Sequence, residues 1–359
     1  MRRDADVVVV GGGITGAGTL RALSRSGIEA ILLERFELGH TRGSSHGTSR
    51  IFRLAYPEPV YARLAQQALA AWRELEHECG ERLIIHTGTL DLGDAAAETE
   101  RSLAGLGIPY ETLSSDAALR RWPLTFEPDA RPVFQPDGGF LLADRAHAAL
   151  VAGAKAAGGE LVEREQVVRI DVHPGGVKVA TTTLEIAARA VVVAAGAWTH
   201  GLLTSVGVKL PVSVARETVA YFALPGVEKL PPVIEYPSSA SPLPDGQAYY
   251  ALAAPGRGLK AGIHHAGLPA DPEEEGTPDL DVVEATAAWV ARRFPDADPT
   301  PLAAETCLYT NTADESFVIE AHGRIIVASA CSGHGFKFAP VHGSRAASLA
   351  LEAGQAGAG

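Results

Sequence analysis

The stretch Val7-Val8-Val9-Val10-Gly11-Gly12-Gly13-Ile14-Thr15-Gly16 decides the fold. Four β-branched residues in a row predict a buried strand, and the pattern G-x-G-x-x-G follows it without a gap. Ile14, Ala17 and Leu20 then recur at helical spacing in a helix expected over 14–26, which Gly27 closes. A second apolar run, 29–34, ends on Glu34. Strand, glycine turn, helix and strand make one βαβ unit. In such a unit Gly11 permits the tight turn and Gly13 admits a pyrophosphate to the backbone. Gly16 lets the helix pack closely on the strand, and the free N–H groups at Ile14 and Thr15 face the phosphates. Glu34, with Arg35 after it, stands 23 residues beyond Gly11. An acid there accepts hydrogen bonds from both ribose hydroxyls and repels a 2′-phosphate. The unit therefore predicts a dinucleotide, FAD or NAD rather than NADP, and does not choose between the first two.

Outward from this unit the texture changes twice. A polar loop, 39–50, leads to a helix carrying Tyr61, Leu64, Ala65, Ala68, Leu69 and Trp72, and residues 83–143 read as short strands and turns. A helix near 145–157 returns the chain to strands at 160–162, 167–168 and 190–196, the last a central strand of the same parallel sheet. Residues 209–310 are strand-rich with proline-heavy connections and one helix near 280–294. A strand at 324–330 and a helix from Ala339 close the chain, with 351–359 expected to fray. The fold class is α/β. A Rossmann-like dinucleotide-binding domain (1–82, 144–208 and 313–359) is interleaved with a mainly β-sheet, α+β substrate domain (83–143 and 209–312).

Composition narrows the class of function. The 359 residues carry 31 Lys+Arg against 43 Asp+Glu, a net charge of −12. That balance disfavours nucleic acid or an anionic membrane surface as partner. The 38 glycines exceed the usual share of about 7%. Three cysteines, Cys79, Cys307 and Cys331, make neither a disulfide framework nor a CxxC metal site and fit a reducing compartment. The apolar run after Arg3 is too short for a signal core, and no stretch approaches the ~20 apolar residues of a membrane span. A soluble, cytoplasmic protein without a metal is expected.

Four further segments carry a resemblance. They are Gly43-Ser44-Ser45-His46-Gly47-Thr48-Ser49-Arg50-Ile51-Phe52-Arg53, Gly258-Leu259-Lys260-Ala261-Gly262-Ile263-His264, Cys307-Leu308-Tyr309-Thr310 and Ser332-Gly333-His334-Gly335-Phe336-Lys337. In this order they resemble the monomeric sarcosine oxidase and N-methyltryptophan oxidase family, within the D-amino-acid-oxidase-like flavoproteins. The similarity runs from the N-terminus to about residue 350. It implies FAD, an amino acid amine as substrate, O2 as acceptor and a monomer.

The resemblance also implies roles. Cys307 matches the position of covalent flavin attachment, which needs a thiolate beside the flavin 8-methyl carbon; a buried structural cysteine is the plainer alternative, and Cys79 and Cys331 are read that way. Lys260 matches a lysine beside the flavin, where a fixed ammonium favours oxygen reduction. His264 matches a residue bordering the substrate, and the adjacent His265 is expected on the opposite face of the strand. Arg53 and Lys337 resemble the pair that holds a substrate carboxylate. Arg50 is placed over the flavin ring, and Ser44, His46 and Ser49 line it, Ser49 where the family has a threonine. Gly333, Gly335 and Phe336 bring backbone to the ring, with a helix N-terminus aimed at its electron-rich edge. Gly196 and Trp198 fall in a second FAD motif, and Val168 meets adenine through its backbone. Tyr249, eleven residues before Lys260, stands where the family has a pocket tyrosine, although the Tyr-Gly-Phe-Pro pattern is missing after it.

These residues predict a sarcosine-oxidase-like amine oxidase acting on an N-methyl or cyclic secondary amino acid, giving the imine and hydrogen peroxide. An alternative keeps the FAD in a biosynthetic cyclic imino acid oxidase or desaturase, or in a D-amino-acid-type dehydrogenase that passes electrons to a carrier. A flavin-binding module without turnover and an NAD-dependent dehydrogenase are the readings from other classes.

Overall fold

The computed structural model describes residues 2–329 and 332–355, so Cys331 and the end of the expected fraying tail lie outside the described residues. The opening stretch forms the strand Val7–Val10 and the helix Ile14–Arg25, followed by the strand Ala30–Leu33. Both strands are buried along their whole length, as the unbroken apolar runs require of a sheet covered on two faces. Gly11 has φ +104, and a Cβ on it would lie 2.5 Å from the Ala194 carbonyl oxygen. A Cβ on Gly16 would lie 1.9 Å from the Gly11 carbonyl oxygen. Only glycine fits at either place.

Six strands make the central sheet, in the order Glu160–Val162, Ala30–Leu33, Val7–Val10, Ala190–Val193, Ile325–Ser329 and Val318–His322. All neighbours run parallel except the last pair, which is antiparallel at the edge. Three separate stretches of chain thus supply one sheet. The helix Ile14–Arg25 packs between Ala143–Ala156 and Ala339–Gln355 on one face. On the other face a four-stranded sheet of Arg2–Asp4, Glu185–Ala188, Gly176–Thr181 and Val167–His173 covers the strands.

A nine-stranded sheet forms the second half. Ser213–Ala223 is its hub, pairing with both Gly258–His264 and the long strand Asp298–Asn311. Gly258–His264 continues through Ala248–Ala254 and Val233–Glu235 to Thr89–Leu92. The helix Leu280–Arg293, capped by the Asp279 carboxylate at 2.9 Å from the Asp281 amide, packs on this sheet. Beneath it Glu235 is buried and accepts from Trp289 Nε1 at 2.7 Å and Arg293 Nε at 2.9 Å, so its charge is paired where water is absent.

The structure departs from the sequence reading in local places. Residues 83–143 contain the helices Ala96–Leu106 and Ser115–Arg121 as well as strands. The final helix continues to Gln355, past the point where fraying was expected. Val167 and Val168 open a seven-residue strand rather than a short one.

Candidate active site

A cavity of about 1720 Å³ runs from the glycine turn to the nine-stranded sheet. At one end it is walled by Gly11, Gly13, Ile14 and Thr15, with Glu34 and Arg35 beyond them. Gly16 lies behind the turn, packed on the Gly11 carbonyl. Glu34 is 5% exposed; its two carboxylate oxygens accept from the Gly12 amide at 2.6 Å and the Phe36 amide at 2.8 Å. The acid is thereby fixed in place with lone pairs left for a ligand. Arg35 is held by a two-pronged ion pair to Glu273, at 2.6 and 2.8 Å. The first helical amide, Ile14 N, donates to Ser45 Oγ at 2.9 Å, and His147 Nε2 sits 2.7 Å from the Gly12 carbonyl oxygen. Neither Ser45 nor His147 stood out in the sequence, because a serine among serines and a histidine on an apolar helix carry no spacing signal.

The loop 39–50 forms the middle of the cavity wall. Ser44, His46, Ser49 and Arg50 all line it, as do Gly196 and Trp198. Arg50 ties the loop together by donating to the carbonyls of Ser44 at 2.9 Å and His46 at 2.6 Å. Its guanidinium lies 5.5 Å from the centre of the Phe336 ring. The Ser44 hydroxyl donates to the Leu308 carbonyl, fastening the loop to the strand that bears Cys307. Burial, and then the Arg50 charge, push His46 down to about 4.

Polar atoms here await a ligand. His46 Nε2, Thr48 Oγ1, Ser49 Oγ and Ser329 Oγ are buried without a hydrogen-bond partner, and all four residues line the cavity. Buried polar groups are normally satisfied. A row of orphans along a glycine-rich cradle fits a long cofactor with many acceptors and donors.

At the far end Lys260, His264, Cys307, Gly333, Gly335, Phe336 and Lys337 converge with Arg53. Lys260 and His264 share one face of the strand Gly258–His264 because they are four residues apart. Burial, and then the Arg50 guanidinium, pull the Lys260 ammonium down to about 7. His264 is held well below the usual histidine range by burial and by the neighbouring His265, so its ring is neutral. Its Nδ1 lies 3.4 Å from the Tyr309 hydroxyl. Gly333, at φ +76, lets backbone pass where a Cβ would lie 2.1 Å from the Tyr309 ring. Gly335 and Phe336 lead into the turn Phe336–Phe338 and the helix Ala339–Gln355.

Two cations face the same end. Lys337 is 5% exposed; its Nζ donates to the Tyr56 hydroxyl and to the His334 carbonyl, each at 2.8 Å. Arg53 donates to the Tyr236 hydroxyl at 2.7 Å, and its guanidinium lies 4.2 Å from the centre of the Tyr56 ring. Burial alone would lower Arg53, but Tyr236, Tyr56 and Asp91 more than offset it and hold the group above its ordinary value. Tyr56 therefore bridges the two cations. Neither it nor Tyr236 was singled out by sequence reasoning.

Three expectations need correction. Tyr249 does not line the cavity; its ring stacks at 5.0 Å on Trp289, and Tyr250 lines the cavity instead. A miscount of one residue across a hairpin turn reverses the face of every side chain on a strand. Val168, expected to meet adenine through its backbone, does not line the cavity; it stands beside a bulge between Val167 and Arg169, and Val167 lines the cavity in its place. His265 does not point to the far side of the strand, because the strand ends at His264. With φ +58 it folds back to place its ring 4.1 Å from that of His264 and its Nε2 3.5 Å from Glu315.

Comparison with known proteins bears on the whole chain. The sequence model of the family described as FAD dependent oxidoreductase matches residues 6–349. The peroxisomal sarcosine oxidase of Homo sapiens is 35% identical, over 94% of this chain and 90% of its own. The monomeric sarcosine oxidase of Bacillus sp. (strain B-0618) is 31% identical, over 96% of this chain and 92% of its own. Among solved structures, a variant of NikD, an amino acid oxidase essential for nikkomycin biosynthesis, superposes with a TM-score of 0.88. It is 29% identical, covering 98% of this chain and 94% of its own.

Proposed function

Because the chain belongs to the FAD dependent oxidoreductase family, we propose that it oxidises the C–N bond of an N-methyl or cyclic secondary amino acid to the imine. The two electrons and two protons released pass to O2, giving hydrogen peroxide. The convergence of Arg53 and Lys337 on one buried end of the cavity carries this reading. Two buried cations at one end of a cavity favour a ligand that carries an anionic group, and a carboxylate fits them. Arg53 offers a planar fork and Lys337 a point charge, which together orient the carboxylate and leave the amine toward the cavity centre.

FAD, when bound, supplies the two-electron acceptor. The glycine turn with Ile14 and Thr15 would hold its pyrophosphate, Glu34 its ribose, and the loop 39–50 with Phe336 its ring system. A hydride-type transfer needs no strong base at the amine end. His264 is neutral and weakly basic there, so it borders the substrate without competing for the amine proton. Lys260, near 7, places a positive charge where oxygen acquires negative charge, an electrostatic contribution that needs no rearrangement.

Cys307 lines the same cavity on the strand Asp298–Asn311. It is the proposed covalent tether through the flavin 8-methyl group. Acid precipitation tests this: the yellow colour stays with wild-type polypeptide and leaves Cys307→Ser, and colour lost from the wild type refutes the tether. The division into a discontinuous FAD-binding domain and a substrate domain, a monomeric state and a cytoplasmic setting belong to the same reading.

Anaerobic mixing with sarcosine, proline, pipecolate and N-methyl aromatic amino acids tests the function itself. Bleaching of the flavin by a secondary amino acid, with one peroxide formed per turnover in air, is the expected result. No bleaching by any of them would sink it. Likeness to NikD, an amino acid oxidase of a biosynthetic route, favours a biosynthetic oxidase as a second reading; its substrate on this reading is a cyclic imino acid, and preference for pipecolate or proline over sarcosine selects it.

A further inference from the structure

We propose that Asp91 is a built-in counter-anion that competes with the substrate carboxylate for Arg53 and so determines how tightly, and in which protonation state, this site holds an anion. The proposal rests on the reading of Arg53 as a carboxylate-binding residue and adds a specificity determinant behind it.

The strand Thr89–Leu92 is buried along its length. Leu90 and Leu92 point into an apolar cluster, as the alternation of a strand demands. Asp91 points the other way and is 0% exposed. Neither of its carboxylate oxygens makes a well-formed hydrogen bond, although the Thr99 hydroxyl is directed at the group and favours its ionised form. Its charged neighbour is Arg53, with Nη1 3.5 Å from Oδ2. That distance is an ion pair and not a hydrogen bond, since Nη1 donates to the Tyr236 hydroxyl. Arg53 and Tyr236 line the cavity and Asp91 does not. The guanidinium therefore stands between a buried carboxylate behind it and the substrate space ahead.

Each packed element contributes little other charge. From the parallel strand Val233–Glu235 the following residue Tyr236 faces the pair, while Glu235 is spent on Trp289 and Arg293. Val133 lies opposite Asp91 on the antiparallel strand. From the helix Ala96–Leu106, Thr99 faces it, and Glu98 and Arg101 pair with one another in solvent. Tyr56 and Lys337 lie on the far side of the guanidinium. Asp91 has no packing reason to be an acid, with leucines on both sides of it in the same strand.

A second carboxylate brought to a guanidinium already paired with Asp91 gains less from it and is repelled by the first. When Asp91 is ionised the pair is neutral and an incoming carboxylate meets mainly Lys337. When Asp91 is protonated, the full Arg53 charge is available to the ligand. Binding of a carboxylate therefore favours the protonated form of Asp91. Burial already raises that acid to about 7, outweighing the attraction of Arg53. The sign follows: anion affinity is high below this pH and declines as pH rises through it.

Propionate is the probe, because it has the carboxylate and no titrating amine. Its binding to the FAD-loaded protein is measured calorimetrically between pH 6 and 8, in buffers of different ionisation enthalpy. Wild type takes up close to one proton per propionate at pH 8, and its affinity falls about tenfold per pH unit above the Asp91 titration. Asp91→Asn, of the same shape, binds propionate about tenfold tighter at pH 8 and takes up close to one proton fewer per ligand than wild type, the pH step that remains being that of Lys260. Asp91→Leu does the same where it folds, as judged by flavin spectrum and melting temperature. Proton uptake and affinity in a folded Asp91→Asn protein equal to wild type would overturn the proposal. Arg53→Met separates the two layers of argument. If that variant still binds propionate as wild type does, the carboxylate reading of Arg53 falls; if it loses binding while Asp91→Asn changes nothing, only the role of Asp91 falls.

Discussion

The two ends of the cavity are built by different physics. The dinucleotide end is made of backbone: a turn at Gly11, a helix terminus at Ile14, and a carboxylate, Glu34, clamped by two amides. The amine end is made of side chains. Arg53, Lys260, His264 and Lys337 arrive there from three distant parts of the chain. A backbone cradle fails by steric exclusion, all at once and with little dependence on pH. A cluster of buried charges fails by degrees, and each degree is tied to protonation.

The largest effect breaks the cradle. Gly16→Val would drive side-chain carbon into the Gly11 carbonyl, where even a Cβ lies at 1.9 Å. The helix cannot then close on the turn. Purified protein is expected to be colourless or insoluble at every pH, as read by flavin absorbance. A yellow, active Gly16→Val protein would erase the contrast between the two ends.

Next comes Arg53→Met, which should leave the cofactor in place. Removing one partner from a buried charged contact costs about 2–5 kcal/mol. The expected fall in kcat/KM for an amino acid substrate is therefore about 30- to 5,000-fold, with an unchanged flavin spectrum. Loss of flavin together with activity would show that the two ends are not separable.

Lys260 gives a smaller and pH-dependent effect. Its ordinary value is lowered to about 7, chiefly by burial and then by Arg50. The ammonium is present below that pH and is lost above it. Reoxidation of the reduced protein by O2 should slow as pH rises through about 7. Lys260→Met should be slower by about 10²-fold, the scale of losing one preorganised charge, with no such pH step. Stopped-flow reoxidation checks both. Equal pH steps in variant and wild type would assign the titration to another group.

The same contrast explains what the sequence disclosed. The cradle was legible because backbone geometry demands glycine at fixed spacing next to a strand, and Gly11, Gly13 and Gly16 advertise it. The family resemblance carried Arg53, Lys260, Cys307 and Lys337 to the other end. Side chains that merely join that end left no periodic trace. Tyr56 follows a strand in an irregular segment, and Tyr236 lies in a proline-rich connection. Asp91 looked like the polar member of an alternating strand. The helices at Ala96–Leu106 and Ser115–Arg121 escaped notice because their buried faces include Ala96, Thr99, Ser102 and Ala118, residues too small or polar to mark a stripe.

The smallest effect tests one of the two places where counting misled. Tyr249 and Tyr250 are adjacent on the strand Ala248–Ala254, so they face opposite sides of the sheet. The Tyr250 hydroxyl lies toward Gly262, where a Cβ would come within 3.0 Å of it, on the strand that carries Lys260 and His264. Tyr249 stacks on Trp289 beneath the helix Leu280–Arg293. Tyr250→Phe removes a hydroxyl from the cavity wall, worth about 0.5–1.5 kcal/mol, and so shifts KM or kcat for the amine by about three- to tenfold. Tyr249→Phe keeps the stacked ring and should change either constant by less than about twofold. The comparison is sharp because the two variants differ by one position and delete the same atom. If Tyr249→Phe is the one that moves the kinetics, the strand is in the other register, and the placement of Lys260 and His264 on the cavity face falls with it.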